Sequence, residues 1–118
     1  NDRNFLCFVI RWFLFWGIKL SNIDFTELPK AVSVLKLLAN PERLKIVCVL
    51  AERSLNVGEI EMLTHITQPT LSQQLGILRK KGVLSTDKRG KFVYYQLADP
   101  KLVQLIGCLH ELYCDPRA

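Results

Sequence analysis

The sequence has few of the features that mark secreted, membrane-spanning or catalytic proteins. Its four cysteines include no Cys-x-x-Cys pair, whereas secreted disulfide scaffolds are shorter and denser in cysteine. Its longest apolar run, residues 5–18, is shorter than the roughly 20 residues of a transmembrane helix. We recognise no nucleophile–base–orienter set. We therefore expect a protein that is not an enzyme, located in the reducing cytoplasm, where any disulfide is transient or regulatory.

The N-terminal residues 1–20 form an atypical apolar extension. Residues 5–18 are apolar except for Arg11 and contain both tryptophans, Trp12 and Trp16. The run resembles a signal sequence in length, but no small-residue cleavage site follows it. An additional packing helix, a membrane-surface anchor and an extension outside the native domain all stay open. We favour the last, because the pattern of a folded domain begins at Ser21 and runs to residue 118.

Hydrophobic residues make up 49% of the 118 residues, so the chain is long and apolar enough for one domain with a modest core. Its net charge is +5, and much of the positive charge lies in one short stretch. A local basic patch suits phosphate, although a solvated charged face is the alternative. The basic residues of this stretch, opposed only by Asp87, are Arg79, Lys80, Lys81, Lys88, Arg89 and Lys91.

Helical periodicity and capping signals predict a mainly α fold with a small β-hairpin, in the order ααααββα. The predicted helices cover about 25–39, 41–52, 56–64, 67–81 and 99–113, and the strands cover 83–87 and 92–97. Residues 54–56 are expected to be a linker. Gly90 supplies the positive φ of the hairpin turn, and Gly82 ends the fourth helix. The predicted N-terminal caps are Asp24, Asn40, Asn56 with Glu59, Thr67, and Asp99.

The apolar positions of these helices predict which faces are buried. The last helix has a stripe that is broad for a small domain, which favours contact with a second subunit over core packing alone. The residues expected to point inward are Leu44, Val47, Cys48 and Leu50, then Ile60 and Leu63, then Leu71, Leu75 and Leu78; the stripe of the last helix is Leu102, Leu105, Ile106, Leu109, Leu112 and Tyr113.

The fourth helix and the hairpin together are typical of a winged helix-turn-helix. Gln, Ser and Thr can bond base edges, and the N-terminal part of such a helix normally enters the major groove. The cluster of these residues at the start of the helix, followed by a basic wing, makes DNA binding the leading hypothesis; ordinary surface residues are the alternative. The predicted DNA-binding residues are Gln68, Thr70, Ser72, Gln73, Arg79, Lys80, Lys88, Arg89 and Lys91.

Five motifs together resemble the ArsR superfamily of bacterial winged-helix repressors. They are Asn40-Pro41-Glu42-Arg43-Leu44 and the segments 57–60, 68–75, 78–83 and 94–97, so that the similarity spans about residues 25–114. The resemblance implies a homodimer paired through its first and last helices. It also implies binding to palindromic double-stranded operator DNA, which the dimer releases when it senses a small inducer.

Metal-sensing members of the superfamily have ligand sets that this sequence largely lacks. One class has a Cys-x-Cys pair around the third helix, where this chain has no cysteine in residues 57–63. Another class uses carboxylate and His ligands on the last helix, where Asp99, His110 and Glu111 are present without a second His in reach. A closed zinc site needs about four ligands. We therefore expect no metal and no cofactor.

Two cysteines resemble those of the dithiol, persulfide-responsive BigR and SqrR group of this superfamily. By that resemblance, Cys48 of the second helix and Cys114 of the last become joined by a disulfide or a sulfur chain when reactive sulfur species react with them. Cys7 and Cys108 have no counterpart in the pattern. Cys48 as a simple buried hydrophobe is the alternative. A metal-responsive or peroxide-responsive repressor stays open, as does a winged-helix module for protein interaction or membrane association.

Overall fold

The computed structural model describes residues 24–114, and the chain divides within its first helix into two compact units, residues 1–32 and 33–118. The predicted extension over residues 1–20, with Cys7, lies outside the described residues. The α-helices are α1 Leu28–Leu38, α2 Pro41–Leu50, α3 Val57–Thr64, α4 Thr70–Lys80 and α5 Pro100–Leu109, which continues as a π-helical turn His110–Cys114. The strands are β1 Leu55–Asn56, β2 Leu84–Arg89 and β3 Phe92–Leu97.

This order confirms the predicted winged helix-turn-helix and adds one strand to it. The sheet is antiparallel in the order β1-β3-β2. Leu55 pairs with Tyr95 and Asn56 with Tyr94, so part of the predicted linker is a strand. A two-residue strand is too short to show the alternation by which strands are recognised in a sequence. The predicted order ααααββα is therefore corrected to ααβααββα.

The wing is the hairpin formed by β2 and β3. Pairing from Leu84 with Leu97 to Arg89 with Phe92 leaves two residues in the turn, and Gly90 has a φ of +63°. Positive φ at this position is what two-residue hairpin turns require. Strand β2 begins one residue later than predicted and continues to Arg89, because the tight turn lets pairing extend to the tip.

Three of the predicted helix caps are present. The Asn40 side chain accepts hydrogen bonds from the N–H groups of Glu42 and Arg43 at 3.0 and 3.1 Å. Asn56 and Glu59 form a reciprocal capping box. Asp99 accepts from the N–H of Lys101 at 2.9 Å. Each cap satisfies N–H groups that have no partner within the helix, which fixes the point where the helix begins.

The other two predicted caps are wrong. Helix α4 begins at Thr70 rather than after Thr67, with Pro69 in the N-cap position and no side-chain cap. The carbonyl of Thr67 instead accepts from the N–H of Leu71 in the preceding turn. Helix α1 begins at Leu28, because Asp24 uses its carboxylate to close a local turn with Thr26.

The hydrophobic core lies between α2, α3, α4, α5 and the sheet. The predicted stripe of α4 is confirmed, since Leu71, Leu75 and Leu78 are at most 2% exposed. Leu63 is 49% exposed, and the buried position on that side of α3 belongs to Thr64. The Thr64 hydroxyl donates to the carbonyl of Ile60 at 2.7 Å, so its burial leaves no polar group without a partner.

The apolar residues of α2 and α5 also differ from the predicted pattern. On α2, Ile46 is fully buried, whereas Leu44 and Cys48 are half-buried. On α5, Leu102 and Ile106 belong to the core, but Leu112 and Tyr113 beyond it are 42% and 81% exposed. The predicted single stripe thus has a buried first half and an exposed second half. Between residues 24 and 114, no helix is long and apolar enough to cross a membrane.

Candidate nucleic-acid interface and dithiol site

Helices α3 and α4, with the turn between them, form a helix-turn-helix supported by α2. Helix α2 packs against both. His65 ends α3 in the left-handed conformation with a φ of +61°, and Ile66 of the turn is buried in the core. The N-terminal half of α4 carries Ser72 and Gln73 on its exposed face, and Gln68 lies just before the helix.

The predicted base-reading residues in α4 and just before it are not equivalent. Gln68, Ser72 and Gln73 are exposed, and Thr70 is half-buried. Gln68 accepts two hydrogen bonds through Oε1, from the Ser72 N–H at 3.0 Å and the Ser72 hydroxyl at 2.7 Å. Bidentate recognition of adenine needs both the oxygen and the NH₂ group of an amide. In this arrangement Gln68 offers only its NH₂ group, and among the described residues no partner engages the Gln73 side chain.

The predicted phosphate-contacting cations lie on the end of α4 and on the wing, and all five are exposed. They are Arg79, Lys80, Lys88, Arg89 and Lys91. Arg89 is partly engaged: its Nε donates to Asp87 at 3.0 Å, and its guanidinium lies 4.7 Å from the Tyr94 ring centroid. Lys91 lies 5.8 Å from the ring centroid of Phe92. The wing therefore holds three positive charges against one carboxylate.

Arg43 and Gln74 are two structural residues that no predicted site included. Nε of Arg43 donates to the carbonyl of Leu37 at 2.6 Å, and Nη1 donates to Oε1 of Gln74 at 3.3 Å. These bonds join the C-terminal end of α1, the first turn of α2 and the middle of α4. A sequence motif placed Arg43 near the start of α2, but neither partner could be identified from local spacing.

The two predicted sensing cysteines lie on α2 and at the end of the π-helical turn. Cys48 is half-buried and packs against the core, and Cys114 is exposed. Burial raises the pKa of the Cys48 thiol, and the charge of Cys114 raises the same pKa further. The second effect requires the two thiols to be near each other, although α2 and α5 are far apart in sequence. Cys48, Cys108 and Cys114 are all free thiols.

Cys114 is the last residue of the π-helical turn that ends the last helix. A π turn closes i to i+5 hydrogen bonds, so it is wider than an α turn and rotates the following residues relative to a continued α-helix. His110 to Cys114 form this turn at the end of α5. Within residues 24–114, no group of three or more His, Cys, Asp and Glu side chains could hold a metal ion.

Comparisons with known proteins identify the family and match the fold. Residues 40–86 match the family model described as bacterial regulatory protein, arsR family. The biofilm growth-associated repressor of Agrobacterium fabrum is 46% identical over 83 residues, which is 70% of this chain and 71% of that protein. The transcriptional activator HlyU of Vibrio cholerae is 41% identical over 85 residues, covering 72% of this chain and 79% of that protein. The crystal structure of the transcriptional repressor BigR from Xylella fastidiosa superposes with a TM-score of 0.71 at 40% identity, covering 75% of this chain and 91% of that chain.

Proposed function

The chain belongs to the ArsR family of bacterial regulatory proteins, and we propose that it is a homodimeric repressor that releases operator DNA when reactive sulfur species join Cys48 to Cys114. The observation that carries the proposal is the pair of free cysteines, Cys48 on α2 and Cys114 at the end of the last helix. Burial, and then the charge of Cys114, raise the pKa of Cys48, which agrees with two neighbouring thiols. This pair supports a reaction between the two thiols, and Cys48 lies on the helix that packs against the DNA-reading motif. The alternative is that the chain activates transcription, because the similar HlyU protein is named a transcriptional activator.

DNA binding by this chain is proposed for the exposed start of α4 and the basic wing. Gln73 and the NH₂ group of Gln68 are placed to bond base edges in the major groove, with Thr70 and Ser72 beside them. The cations at the end of α4 and on the wing contact the phosphates. These are Arg79, Lys80, Lys88, Arg89 and Lys91. Operator selectivity then resides in few side chains, and most of the affinity is electrostatic and falls with added salt.

Dimerisation through the first and last helices is supported by their exposed apolar residues. Leu28, Val32 and Leu35 recur at helical spacing on α1 and are 40–58% exposed. Val103, Leu112 and Tyr113 of the last helix are also exposed. Apolar surface of this kind on both terminal helices is stabilised by burial against a second copy. Two copies then present two α4 helices to a palindromic site.

The two cysteines have different roles in the proposed reaction. Cys114 is exposed, so a small persulfide or polysulfide can reach its sulfur directly. Cys48 is half-buried and its raised pKa keeps it in the thiol form over a wider pH range. Thiolates are the nucleophiles, and access limits their reaction. Cys114 therefore attacks first and Cys48 resolves the product.

The chemistry needs only the two thiols and a sulfane sulfur donor. The Cys114 thiolate attacks the outer sulfur of R–S–SH, forming Cys114–S–SH and releasing R–S⁻. The Cys48 thiolate then attacks Sγ of Cys114 and displaces HS⁻, which leaves a Cys48–Cys114 disulfide. Two thiols are oxidised, and one sulfane sulfur is reduced to sulfide. A direct disulfide requires Cα atoms about 4.4–6.8 Å apart, whereas a longer sulfur chain bridges a wider gap.

The link reaches the DNA-reading helix through α2. Helix α2 packs on α3 and α4, and Arg43 at its start bonds to Gln74 of α4. Joining Cys48 to the end of the last helix therefore constrains both the DNA-reading motif and the proposed dimer surface. A modest misfit is enough, because allosteric couplings are about 1–3 kcal/mol and about 1.4 kcal/mol changes affinity tenfold.

The proposal is tested by mass spectrometry and DNA binding on the same samples. The full chain is treated with polysulfide, peroxide or diamide, and its affinity is measured for a duplex from the region upstream of its own gene. We expect polysulfide to link Cys48 to Cys114 and to weaken binding, and C48S and C114S to keep full binding. C108S is the matched control and behaves like the unchanged chain. Modification of both cysteines without loss of DNA affinity would refute the sensing mechanism.

Three further experiments distinguish the alternative functions. A response of equal size to peroxide identifies a general redox regulator, and release by a metal ion in place of polysulfide identifies a metal-responsive one. Reporter expression that falls when the gene is deleted identifies an activator. Absence of salt-dependent DNA binding, or flotation of the full chain with liposomes that the 21–118 chain does not show, favours a protein-interaction or membrane-associated module.

A further inference from the structure

The lining of a cavity at the junction of α1, α2 and α4 includes neither cysteine of the dithiol and none of the predicted base-reading residues. The volume of the cavity is about 350 Å³, within the range of about 300–1,000 Å³ that is common for small-ligand sites. Three of the residues that line it are basic, and none is acidic. The lining residues are Ser33, Lys36, Leu37, Arg43, Ile77 and Lys81.

The charge of this cavity has no counterion in the part of the chain that the structure describes. Within residues 24–114 the salt-bridge pairing is confined to Arg89 and Asp87, so Lys36, Arg43 and Lys81 meet no carboxylate there. Like charges that converge on a concave surface raise the local potential and attract an anion. Two of the three cations are exposed lysines on flexible stems, which can close over a ligand.

Arg43 gives the cavity a fixed anchor. Its guanidinium is held on one side by the carbonyl of Leu37 and on the other by the Gln74 side chain. An Arg side chain has five N–H donors, so three remain for a ligand after these two bonds. A guanidinium already held in place loses little conformational freedom when it binds a carboxylate or phosphate in a bidentate manner.

The other lining residues favour an organic anion over a bare inorganic ion. Leu37 and Ile77 supply apolar walls, and Ile77 is 40% exposed although it lies on a helix of the folded domain. Apolar surface next to a charged anchor fits a ligand with an acidic group on a short apolar body. The Ser33 hydroxyl adds a neutral donor to the lining.

Two of the three residues that α1 contributes to the cavity lie away from the exposed apolar residue Leu35. Leu35 belongs to the exposed apolar side of α1, and Ser33 and Leu37 are each two residues away from it. At 3.6 residues per turn, two residues correspond to about 160° around the helix axis. Ser33 and Leu37 therefore lie on the side of α1 away from Leu35, whereas Lys36, four residues after Val32, lies about 40° from it at the border of the apolar side.

We propose that this cavity is a binding site for a small organic anion, a carboxylate or phosphate monoester with an apolar body. Arg43 and the two lysines bind the acidic group, and Leu37 and Ile77 contact the apolar part. Because Arg43 also bonds to Gln74, a ligand here contacts the same side chain that holds α4 against α2. Small-molecule binding at this place does not depend on either cysteine.

The test uses benzoate as the probe and neutral benzamide, of the same shape, as its control. Methyl resonances of Leu37 and Ile77 are followed by NMR in the full chain during each titration. We expect saturable shifts with benzoate and none with benzamide. A chain with both K36Q and K81Q should bind benzoate at least roughly tenfold more weakly, because each lysine contributes a charge-assisted contact. K45Q, an exposed lysine of α2 outside the cavity, is the matched control and binds as the unchanged chain does.

Three results would overturn the proposal. Benzoate fails to saturate, or benzamide produces the same shifts, or the double lysine variant binds benzoate as tightly as the unchanged chain. The same variants are titrated with duplex DNA over a range of salt. If benzoate does not saturate but K36Q and K81Q lower the salt dependence of DNA binding, the cavity contacts a DNA phosphate and the small-anion proposal is wrong. Lys36 and Lys81 are exposed, so these variants are expected to fold.

Discussion

Arg43 donates a hydrogen bond from Nη1 to Oε1 of Gln74 across 3.3 Å, which joins the helix that carries Cys48 to the helix proposed to read DNA. The same guanidinium holds the end of α1 through the carbonyl of Leu37. Arg43 is therefore the point at which three helices of the domain meet. A change that starts in α2 can reach α4 through this contact as well as through the packed core.

Replacing Gln74 by Met tests this connection, since Met keeps the length of the side chain but cannot accept the bond. We expect the free energy of unfolding to fall by about 0.5–1.5 kcal/mol. The loss of DNA affinity caused by polysulfide should also become smaller. Chemical denaturation and DNA titration of oxidised and reduced chains measure both effects. Q104M, on the exposed side of α5, is the control; a polysulfide response in Q74M as large as in Q104M would exclude a role for the bond.

Gln68 and Gln73 should respond differently to substitution. Gln73→Ala is expected to cost about 1–3 kcal/mol of operator affinity and to relax the preference at one base pair, as loss of a base contact does. Gln68→Ala removes the acceptor that holds the start of α4, so we expect it to reduce stability by about 0.5–2 kcal/mol as well. Affinity for operator and scrambled duplexes, with thermal unfolding of each variant, separates the two effects. Equal losses on both duplexes for Q73A would show that Gln73 does not read a base.

Asp87 should weaken DNA binding by the wing. Its carboxylate engages Arg89 and opposes the approach of phosphates, while the exposed pair itself contributes little to stability. D87N is therefore expected to bind duplex DNA several-fold more tightly. If Arg89 then contacts a DNA phosphate, the slope of log affinity against log salt concentration becomes steeper by up to about 0.9. D99N is unsuitable as a control because Asp99 caps α5, so E52Q, on the exposed turn after α2, is used. Weaker binding by D87N would mean that Asp87 is needed to position Arg89.

Many of the local features of this fold could be predicted from the sequence. Asn40, Asn56 and Asp99 cap helices because each needs only N–H groups two or three residues away. The buried stripe of α4 depends only on helical spacing. Strand β1 could not be predicted, since its two residues are strand-like only because Tyr94 and Tyr95 lie beside them. The predicted cap at Thr67 was also wrong. Helix α4 begins later, with Pro69 in the N-cap position and two hydrogen bonds from Ser72 to Gln68 at its start.

The candidate site was predictable to a smaller degree. Exposed polar residues at the start of a helix and a basic hairpin indicate DNA binding from residue type and position alone. The Arg43–Gln74 bond connects residues far apart in the chain, and spacing gives no sign of it. The pairing of Cys48 with Cys114 came from resemblance to a family. Periodicity alone would have left Cys48 as one more residue of a buried helix face.

Two glycines near the end of α4 should respond in opposite directions to substitution by Ala. Gly76 lies within the helix, and a Cβ there would meet no atom within 4 Å, so G76A should stabilise the fold by about 0.5–1 kcal/mol. Gly82 has a φ of +79°, so G82A should destabilise it by about 1 kcal/mol or more. Urea denaturation measures both. Stabilisation by G82A would contradict the left-handed end of α4.

The reactivity of Cys48 should depend on pH in a direction fixed by its surroundings. Burial, and then the charge of Cys114, raise the pKa of this thiol above its ordinary value. Its alkylation by iodoacetamide should therefore become fast only at a higher pH than the alkylation of a thiol with an ordinary pKa. C114S removes one of the two causes and should shift the profile of Cys48 to lower pH, which peptide mass spectrometry can follow. An unchanged profile in C114S would place the two thiols too far apart to interact.

The same pKa shift predicts how stability depends on pH. The folded chain retains the Cys48 proton at a pH at which the unfolded chain has begun to release it. The contribution to stability is therefore complete below the ordinary pKa of the thiol and is lost as pH rises through the raised value. C48S should remove this part of the decline in the free energy of unfolding at alkaline pH.

The central claim is that a covalent link between Cys48 and Cys114 controls DNA binding. The most direct measurement is to isolate the polysulfide-treated chain, identify the linked peptides by mass spectrometry, and titrate the same sample with duplex DNA before and after reduction. We predict a Cys48–Cys114 link, an operator affinity reduced roughly fivefold to 150-fold, and full recovery on reduction. A linked chain that binds its operator as tightly as the reduced chain would contradict the account.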